Sequence, residues 1–467
     1  MLMSTRRLPV SVAAGNPVTA EVGAEILRDG GGAADAAVAM SLASCVAETV
    51  FTGLGGGGYA IYYDAETEST SCLDFFVAVP GLGGRRSLTP TEISIDFGGQ
   101  LVQYAVGAST VAVPGVPAGL AALHERWGTK PWRDLVAPAM AHATAGVSFT
   151  PVHSKVLKTV AAALLINEGR SIYGYEETVL PGGGRLHHPG LDSALQVLAD
   201  EGPEAYYTGR IAEAIVAAIG DGGDLSMADL AAYRVQETTP HTVVLGEHEV
   251  HARGDDLDDL LGTAAALELT DDPVEQAVRL VRALRAPAKR GDTTSLAVVD
   301  AQGNACSLTT SLGLSSGVWL PNLGLHLNSM LGEGELVRGT EIPGERMGSM
   351  MSPLVALDEN GPALVAGAAG GSRIRSALLQ VLVKVLGSGM TAQAAIEAPR
   401  LNPVPGRVHV EAGFDEGVLS RLAESDEVVQ WSALDTYFGG VAAISRRGPG
   451  ADPRRGGDVR RLDDSVS

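Results

Sequence analysis

The most chemically suggestive part of the sequence is a pair of adjacent threonines at the start of a short hairpin. In GDTTSLAVVDAQGNACSLTTSL, residues 291–312, apolar and polar residues alternate on both sides of a Gly303–Asn304 turn, which predicts two antiparallel strands. Thr293 and Thr294 open the first strand. Threonine favours strands, which would explain the pair on structural grounds alone. The alternative is that Thr293 does not stay inside a continuous chain, because a threonine hydroxyl becomes a good nucleophile when a base lies beside it.

Other motifs for nucleophiles, phosphates and metals fit poorly. GLGGGG at 53–58 precedes a predicted strand rather than a helix, so neither a P-loop nor a dinucleotide fingerprint fits. GAAGGSR at 367–373 lies between a predicted strand and a predicted helix, where backbone N–H groups could hold a phosphate or an oxyanion. There is no G-x-S-x-G or H-E-x-x-H segment, and His187–His188 is expected to be an exposed loop pair. We therefore expect no metal and no cofactor.

Composition and charge exclude several classes of partner. The chain has 467 residues, of which 45% are hydrophobic, and a net charge of −21, so binding to nucleic acid or an anionic membrane is not expected. No long apolar stretch follows the N-terminal arginines, and residues 33–51 are apolar but carry Asp35 and Glu48. The latter segment is expected to be a buried helix and the protein to be cytoplasmic. Three widely spaced cysteines, Cys45, Cys72 and Cys306, are expected to be buried thiols.

The elements that must position these residues follow an α/β pattern. Capping residues and turn signals predict three helices, which begin after Asn16, Asp272 and Thr391. Residues 241–253 are expected to form a hairpin, and residues 362–386 a strand, a glycine turn and a helix. The charged, glycine-rich tail at 446–467 is expected to be loose.

Several blocks, taken in order, resemble the γ-glutamyltransferase (γ-glutamyltranspeptidase) family along nearly the full length of the chain. They are VAAGNPVTAEVGAEILRDGGGAADAAVA, GLGGGGYAIYYD, VPGVPAGLAALHERWGTKPW, DTTSLAVVDAQGNACSLTTSLG, MGSMMSP and AGAAGGSRIRS. The resemblance implies an α/β fold of four layers, α-β-β-α, of the N-terminal-nucleophile hydrolase type. It also implies self-cleavage between Asp292 and Thr293. Residues 1–292 and 293–467 would then be large- and small-subunit-like segments of one domain, held together as a heterodimer that acts on a small-molecule amide.

The resemblance assigns catalytic roles residue by residue. Thr293 matches the nucleophile, whose freed α-amino group would serve as its base. Gly370 and Gly371 match a glycine pair whose backbone N–H groups face the oxyanion. Ser311 stands where the family usually has a second, assisting threonine, and Asn328 also matches.

The family's substrate clamp is only partly present. Phe76, in DFFVAVP, replaces the arginine that holds the α-carboxylate of a glutamyl group, and Gly348 replaces a serine of the same site beside a matching Ser349. The positions that usually bind the α-amino group are occupied by Gly313, Met330 and Glu333, of which the last alone keeps a charge. Because an arginine–carboxylate contact is worth roughly 1.5–3 kcal/mol, these losses together indicate a different acyl group.

The segment before Thr293 is also shorter than the family's. Its arginines, Arg279, Arg282 and Arg285, fall three apart on a predicted helix and are expected to be a solvated stripe rather than a replacement clamp. Three functions remain open at this point: a γ-glutamyl hydrolase or transferase of the glutathione type, an amidase of the same fold for an acyl group without an α-carboxylate, and an uncut, inactive binding protein.

Overall fold

A computed structural model describes residues 7–86, 88–96, 101–285, 293–337, 339 and 341–462 of the chain. Its helices, in chain order, are Pro17–Arg28, Ala33–Ala47, Val116–Trp127, Trp132–Ala145, Pro151–Leu164, Gly169–Tyr173, Leu191–Glu201, Arg210–Ile219, Met227–Ala232, Leu260–Ala265, Pro273–Leu284, Arg373–Leu382, Ala392–Glu397 and Glu416–Ala423. The predicted caps are confirmed: the side chains of Asn16, Asp272 and Thr391 each accept a backbone N–H of the helix that follows.

Two antiparallel sheets form the centre of the molecule. The first has seven strands, in the spatial order Gln236–Thr238, Ser69–Phe75, Gly57–Asp64, Ala305–Ser311, Thr294–Val299, Ser11–Ala14 and Asp458–Arg461. The second has six, in the order His241–Leu245, His248–Ala252, Leu354–Asp358, Gly361–Ala369, Gly440–Ser445 and Gly448–Ala451. Residues before and after position 293 therefore share both sheets. The hairpins predicted at 241–253 and from Thr293 onward are both confirmed.

Smaller sheets lie outside this centre. Four of them are two-stranded: Thr91–Asp96 with Leu101–Val106, Val147–Ser148 with Arg185–Leu186, Gly174–Tyr175 with Thr178–Val179, and Trp319–Leu320 with Leu325–His326. A fifth is three-stranded, with Leu401–Val404, Arg407–Val410 and Glu427–Gln430.

The two main sheets pack face to face at close range. Ser307 on the first sheet donates its hydroxyl to the backbone oxygen of Ala366 on the second, at 2.8 Å. A Cβ added to Gly367 would come within 2.1 Å of the Ser295 hydroxyl, so only glycine fits there. Small side chains thus bring the sheets together, and Ser295 of the Thr294–Val299 strand faces the second sheet.

Helices cover the outer face of each sheet and complete four layers. Pro17–Arg28 and Ala33–Ala47 pack on the first sheet, and Arg373–Leu382 and Ala392–Glu397 pack on the second. Every residue of Ala33–Ala47 is buried, as its apolar sequence predicts. In the part of the chain that the structure describes, no helix is both long and apolar enough to span a membrane. The predicted α-β-β-α order is confirmed.

Two predictions from the sequence are wrong. As far as residue 462, where the described part of the chain ends, the C-terminal tail is not loose: Asp458–Arg461 pairs with Ser11–Ala14 and forms the edge of the first sheet, and Arg454 is buried between Glu411 and Asp452. The charge of Arg454 is neutralised by these two buried carboxylates, so it does not keep the segment in water. His188 is buried rather than exposed. Its Nδ1 lies 3.1 Å from the backbone oxygen of Gly324 and its Nε2 lies 3.1 Å from the Thr49 hydroxyl, so both ring nitrogens have partners inside the protein. Burial lowers the pKa of His188 to about 4.

The arginines before Thr293 agree with the predicted solvated stripe, because none of the three is buried. Arg279 pairs with Glu268 and Glu275, Arg285 pairs with Asp426, and Arg282 is exposed. The three cysteines are buried free thiols, which also agrees with the prediction.

Candidate active site

Thr293 lies directly before the Thr294–Val299 strand and separates two cavities. Its side chain is buried, with 3% of the residue exposed. On one side is a cleft, which we call the front cleft, and on the other a cavity, which we call the rear cavity. The front cleft is lined by Phe76, Thr293, Ser311, Met330, Glu333, Leu336, Ser349, Met350, Met351, Gly371 and Ile374.

The structure brings the residues predicted from the sequence to this one place. Seven of them line the front cleft together: Phe76, Thr293, Ser311, Met330, Glu333, Ser349 and Gly371. Gly313 lies against Glu333, since a Cβ at that position would come within 2.2 Å of a Glu333 carboxylate oxygen. Gly370 precedes Gly371 in the same turn, and Gly348 is buried next to Ser349. Asp292, the other half of the expected cleavage site, lies outside the described residues.

The glycine turn requires backbone conformations that only glycine adopts easily. Gly370 has φ +122° and Gly371 has φ +57°. Their backbone oxygens accept the N–H groups of Arg373 and Ile374, at 3.1 and 3.0 Å, which ties the turn to the start of the helix Arg373–Leu382. A helix N-terminus favours negative charge, so the turn beside Thr293 is suited to an oxyanion.

Ser311 and Asn328 stabilise loops at the base of the cleft. Ser311 accepts the backbone N–H of Gly313 at 3.0 Å. The Asn328 amide donates to the oxygens of Gly55 and Ala112, each at 2.8 Å, and accepts the Ala112 N–H. Because Asn328 is fully buried and bonded to backbone, its contribution is to hold the glycine loop in place.

Phe76 forms an apolar wall at the position of the expected clamp. Its ring stacks on Tyr59 with centroids 5.6 Å apart. The backbone there is fixed, since its N–H donates to Asp74 at 2.8 Å and its oxygen accepts the Tyr233 hydroxyl at 2.8 Å. The Arg253 guanidinium lies 3.8 Å from the centroid of the Tyr59 ring. The front cleft is therefore lined by an aromatic ring where the family has a cation.

Arg253 is a buried residue that the sequence analysis did not identify. It pairs with Asp255 at 2.8 Å and donates to the backbone oxygens of Ser349 and Met351, each at 3.4 Å. It thus supports the 349–351 wall of the cleft from behind. Its position as the last residue of the predicted 241–253 hairpin was the available signal, but a single arginine at a strand end is usually exposed.

Glu48 is a second residue that the sequence analysis did not connect with the site. It lines the rear cavity with Thr293 and Thr294, and 1% of it is exposed. Its carboxylate accepts hydrogen bonds from the hydroxyls of Thr294 and Thr19, the latter at 2.7 Å. Burial raises the pKa of Glu48, while these hydroxyls and the charge of Arg455 act in the opposite direction. The Glu48 carboxylate therefore contacts the residue that follows the expected nucleophile.

No group of three or more His, Cys, Asp or Glu side chains among the described residues is arranged to hold a metal ion. The chemistry that this geometry supports is that of hydroxyls, backbone N–H groups and carboxylates.

Comparison with known proteins gives a consistent family. The model of the family described as gamma-glutamyltranspeptidase matches residues 19–270 and 259–464. The glutathione hydrolase proenzyme of Escherichia coli (strain K12) is 26% identical, over 97% of this chain and 90% of that protein. The Acylase ACY 1 proenzyme of Pseudomonas sp. (strain SE83) is 28% identical, over 93% of this chain and 89% of that protein.

The fold is shared with a solved acylase. The crystal structure of the cephalosporin acylase from Bacillus halodurans superposes with a TM-score of 0.82 and covers 98% of this chain and 96% of its own. Its sequence is 21% identical, so the likeness concerns the architecture.

Proposed function

The chain belongs to the γ-glutamyltranspeptidase family of enzymes, and on that basis we propose that it is an amide hydrolase whose nucleophile is the hydroxyl of Thr293, freed as a chain terminus by self-cleavage after Asp292. The observation that carries the proposal is the position of Thr293 in the wall of the front cleft, together with Ser311 and the Gly371 turn. The names of the curated relatives, which are proenzymes of hydrolases and acylases, support the same chemistry.

The proposed reaction needs no group from outside the protein except water. The α-amino group of Thr293 takes the hydroxyl proton, and the Thr293 oxygen attacks the amide carbon of the substrate. The N–H groups of Gly370 and Gly371 stabilise the oxyanion. Collapse of this intermediate breaks the C–N bond, the amine leaves with the proton, and an ester on Thr293 remains. Water then loses a proton to the α-amino group and attacks the ester carbon; the bond to the Thr293 oxygen breaks, the acyl group leaves as a carboxylic acid, and the proton returns to the Thr293 oxygen.

The lining of the front cleft supports an acyl group without an α-carboxylate. Phe76, Met330, Leu336, Met350 and Ile374 give it an apolar surface. Of the described residues that line it, Glu333 alone has an ionisable side chain. A substrate carboxylate would lose its hydration here and meet a side chain that is negative when ionised. An amino group on the acyl chain, by contrast, would find a carboxylate partner in Glu333.

Hydrolysis or transfer of a γ-glutamyl group is the second candidate. It is favoured by the 26% identity to the E. coli glutathione hydrolase across 97% of this chain, and by two residues of the front cleft: Ser349, which matches the family's motif, and Glu333, which keeps the charge expected at its position. The two candidates differ in one chemical group of the substrate, so one pair of compounds separates them.

We expect 4-aminobutanoyl 4-nitroanilide to be a better substrate than γ-glutamyl 4-nitroanilide, which differs from it only by the α-carboxylate. The expected ratio of kcat/KM is about ten- to a hundredfold, because an α-carboxylate buried beside Glu333 without a cationic partner costs about 1.5–3 kcal/mol in lost hydration. Release of nitroaniline, corrected for the enzyme-free rate, measures it. A preference for the glutamyl compound would contradict the proposed acyl group, and Arg253 would then be the first residue to test as the clamp.

Phe76→Arg is expected to shift this preference toward the glutamyl compound. The fixed backbone at position 76 directs the new guanidinium into the front cleft, where it can bind the α-carboxylate through two hydrogen bonds. The ratio of the two kcat/KM values should change by about tenfold or more. Phe76→Met is the matched control: it removes the ring without adding charge and should leave the ratio within about threefold of the original. An equal change in both variants would show that the ring, not the charge, sets the preference.

A further inference from the structure

The Thr294–Val299 strand, which directly follows the expected nucleophile, lacks a sheet partner on one side at its N-terminal end. On the Ala305–Ser311 side, pairing continues to Thr294, which is opposite Thr310. On the Ser11–Ala14 side, the last pair is Ala14 with Leu296. There the chain passes through Gly15 and Asn16 into the helix Pro17–Arg28, and the rear cavity takes the place of a neighbouring strand. Thr294 and Ser295 thus extend beyond the last backbone pair on this side.

Glu48 provides a contact at this gap. The Thr294 hydroxyl donates to one carboxylate oxygen of Glu48, and the Thr19 hydroxyl donates to the other. Because side chains alternate along a strand, a Thr294 side chain held on the helix side turns those of Thr293 and Ser295 toward the second sheet. The Ser295 hydroxyl does lie against Gly367 of that sheet. Fixing the Thr294 side chain therefore also fixes the direction of the Thr293 side chain.

Glu48 is itself firmly anchored. It follows the buried helix Ala33–Ala47, and its N–H donates to the Ser44 oxygen at 2.8 Å. Its own backbone oxygen accepts the N–H groups of Phe51 and Thr52, at 2.8 and 3.1 Å. The backbone of Glu48 is therefore held by both a helix end and a turn, so its carboxylate can hold the Thr294 side chain in a fixed position.

The space between the two chains is fitted to this hydrogen bond. A Cβ added to Gly15 would lie 2.7 Å from the bonded oxygen of Glu48 and 2.9 Å from the Thr294 hydroxyl. Any larger residue at position 15 would push the pair apart, although Gly15 does not have a positive φ that would itself require glycine.

We propose that Glu48 is a positioning residue for the nucleophile: through the Thr294 hydroxyl, its carboxylate fixes the direction in which Thr293 presents its own hydroxyl to the front cleft. The inference rests on the proposed function and adds to it a residue from the opposite side of the first sheet. Glu48 touches neither substrate nor the reacting atoms in this role. Its effect should therefore appear in the rate of the chemical step more than in substrate binding.

Thr294→Val tests the contact with the least disturbance, because it keeps the branched shape and removes the hydroxyl. We expect kcat to fall by about tenfold or more with KM changed by less than about threefold, since a misdirected nucleophile still binds substrate. Thr294→Ser, which restores a hydroxyl, should recover most of the rate. Thr263→Val removes a partly buried hydroxyl bond elsewhere, to the backbone oxygen of Asp259 at 2.7 Å, and should leave kcat unchanged. Equal kcat in Thr294→Val and the original protein would overturn the proposal.

Two further variants disturb the hydrogen bond between Glu48 and Thr294 in different ways. Gly15→Ala leaves both partners present but separates them, and should lower kcat as Thr294→Val does. Glu48→Ala combined with Thr294→Val should be no slower than the slower of the two single variants, because both remove one interaction. Multiplicative losses in the double variant would show that the two residues act independently, against the proposal.

Hydrogen–deuterium exchange separates failure of this inference from failure of the proposed function. Amides at the start of the Thr294–Val299 strand should exchange faster in Glu48→Ala and Thr294→Val, and at the original rate in Thr263→Val, whether or not the protein turns over any amide. An original protein that neither cleaves itself nor hydrolyses the anilides would contradict the proposed function alone. Unchanged exchange in both Glu48→Ala and Thr294→Val would contradict the positioning role alone.

Discussion

Thr293→Ala is expected to leave the protein as one uncut chain of 467 residues with no measurable amide hydrolysis. The same hydroxyl is proposed to attack first the preceding peptide bond and later the substrate, so its removal eliminates both reactions. The original protein, cut after Asp292, should give fragments of 292 and 175 residues. Intact mass and N-terminal sequencing of the smaller fragment measure the first effect, and nitroaniline release measures the second.

Thr293→Ser is the matched control for this prediction. Serine retains a hydroxyl at the same position, so this variant should still cut itself and turn over substrate, at a lower rate. Original protein that stays full-length after prolonged incubation would favour the third function considered, an inactive binding protein. Cleavage that persists in Thr293→Ala would place the nucleophile elsewhere.

Gly371→Val is expected to lower kcat by about a hundredfold or more while the protein still folds. At φ +57° a β-branched residue is strained, so the turn must shift and its N–H groups move away from the oxyanion position. The residue lines the front cleft beside Thr293, so a small shift acts directly on the reacting carbonyl. Steady-state kinetics, with circular dichroism to verify folding, measure the effect.

Gly389→Val separates this effect from backbone strain in general. Gly389 has a similar φ of +63°, and a Cβ added there would meet no atom within 4 Å. The control should therefore lose comparable stability and keep its turnover. If a folded Gly371→Val variant keeps the original kcat, the glycine turn does not form the oxyanion site.

Much of the local structure could be predicted because its causes are local. The caps at Asn16, Asp272 and Thr391 join each residue to a backbone N–H only two or three positions away. The strands around Gly303–Asn304 follow from a period of two and a tight turn. The site residues were found in the same way, as short motifs with a family resemblance, and the structure brings seven of them into one cleft.

The sequence by itself therefore determined the capped helices, the two hairpins and most of the residues that line the front cleft, since each depends on neighbours in the chain or on a recognisable motif. Only the tertiary structure decided which distant groups neutralise one another. Glu48 contacts Thr294 across 246 positions of the sequence, and Arg454 contacts Glu411 across 43, so no local sequence pattern predicts either contact. The buried His188 and the ordered C-terminal strand belong to the same class. A charged or polar side chain becomes buried only where its partner is also present, and that partner is supplied by folding.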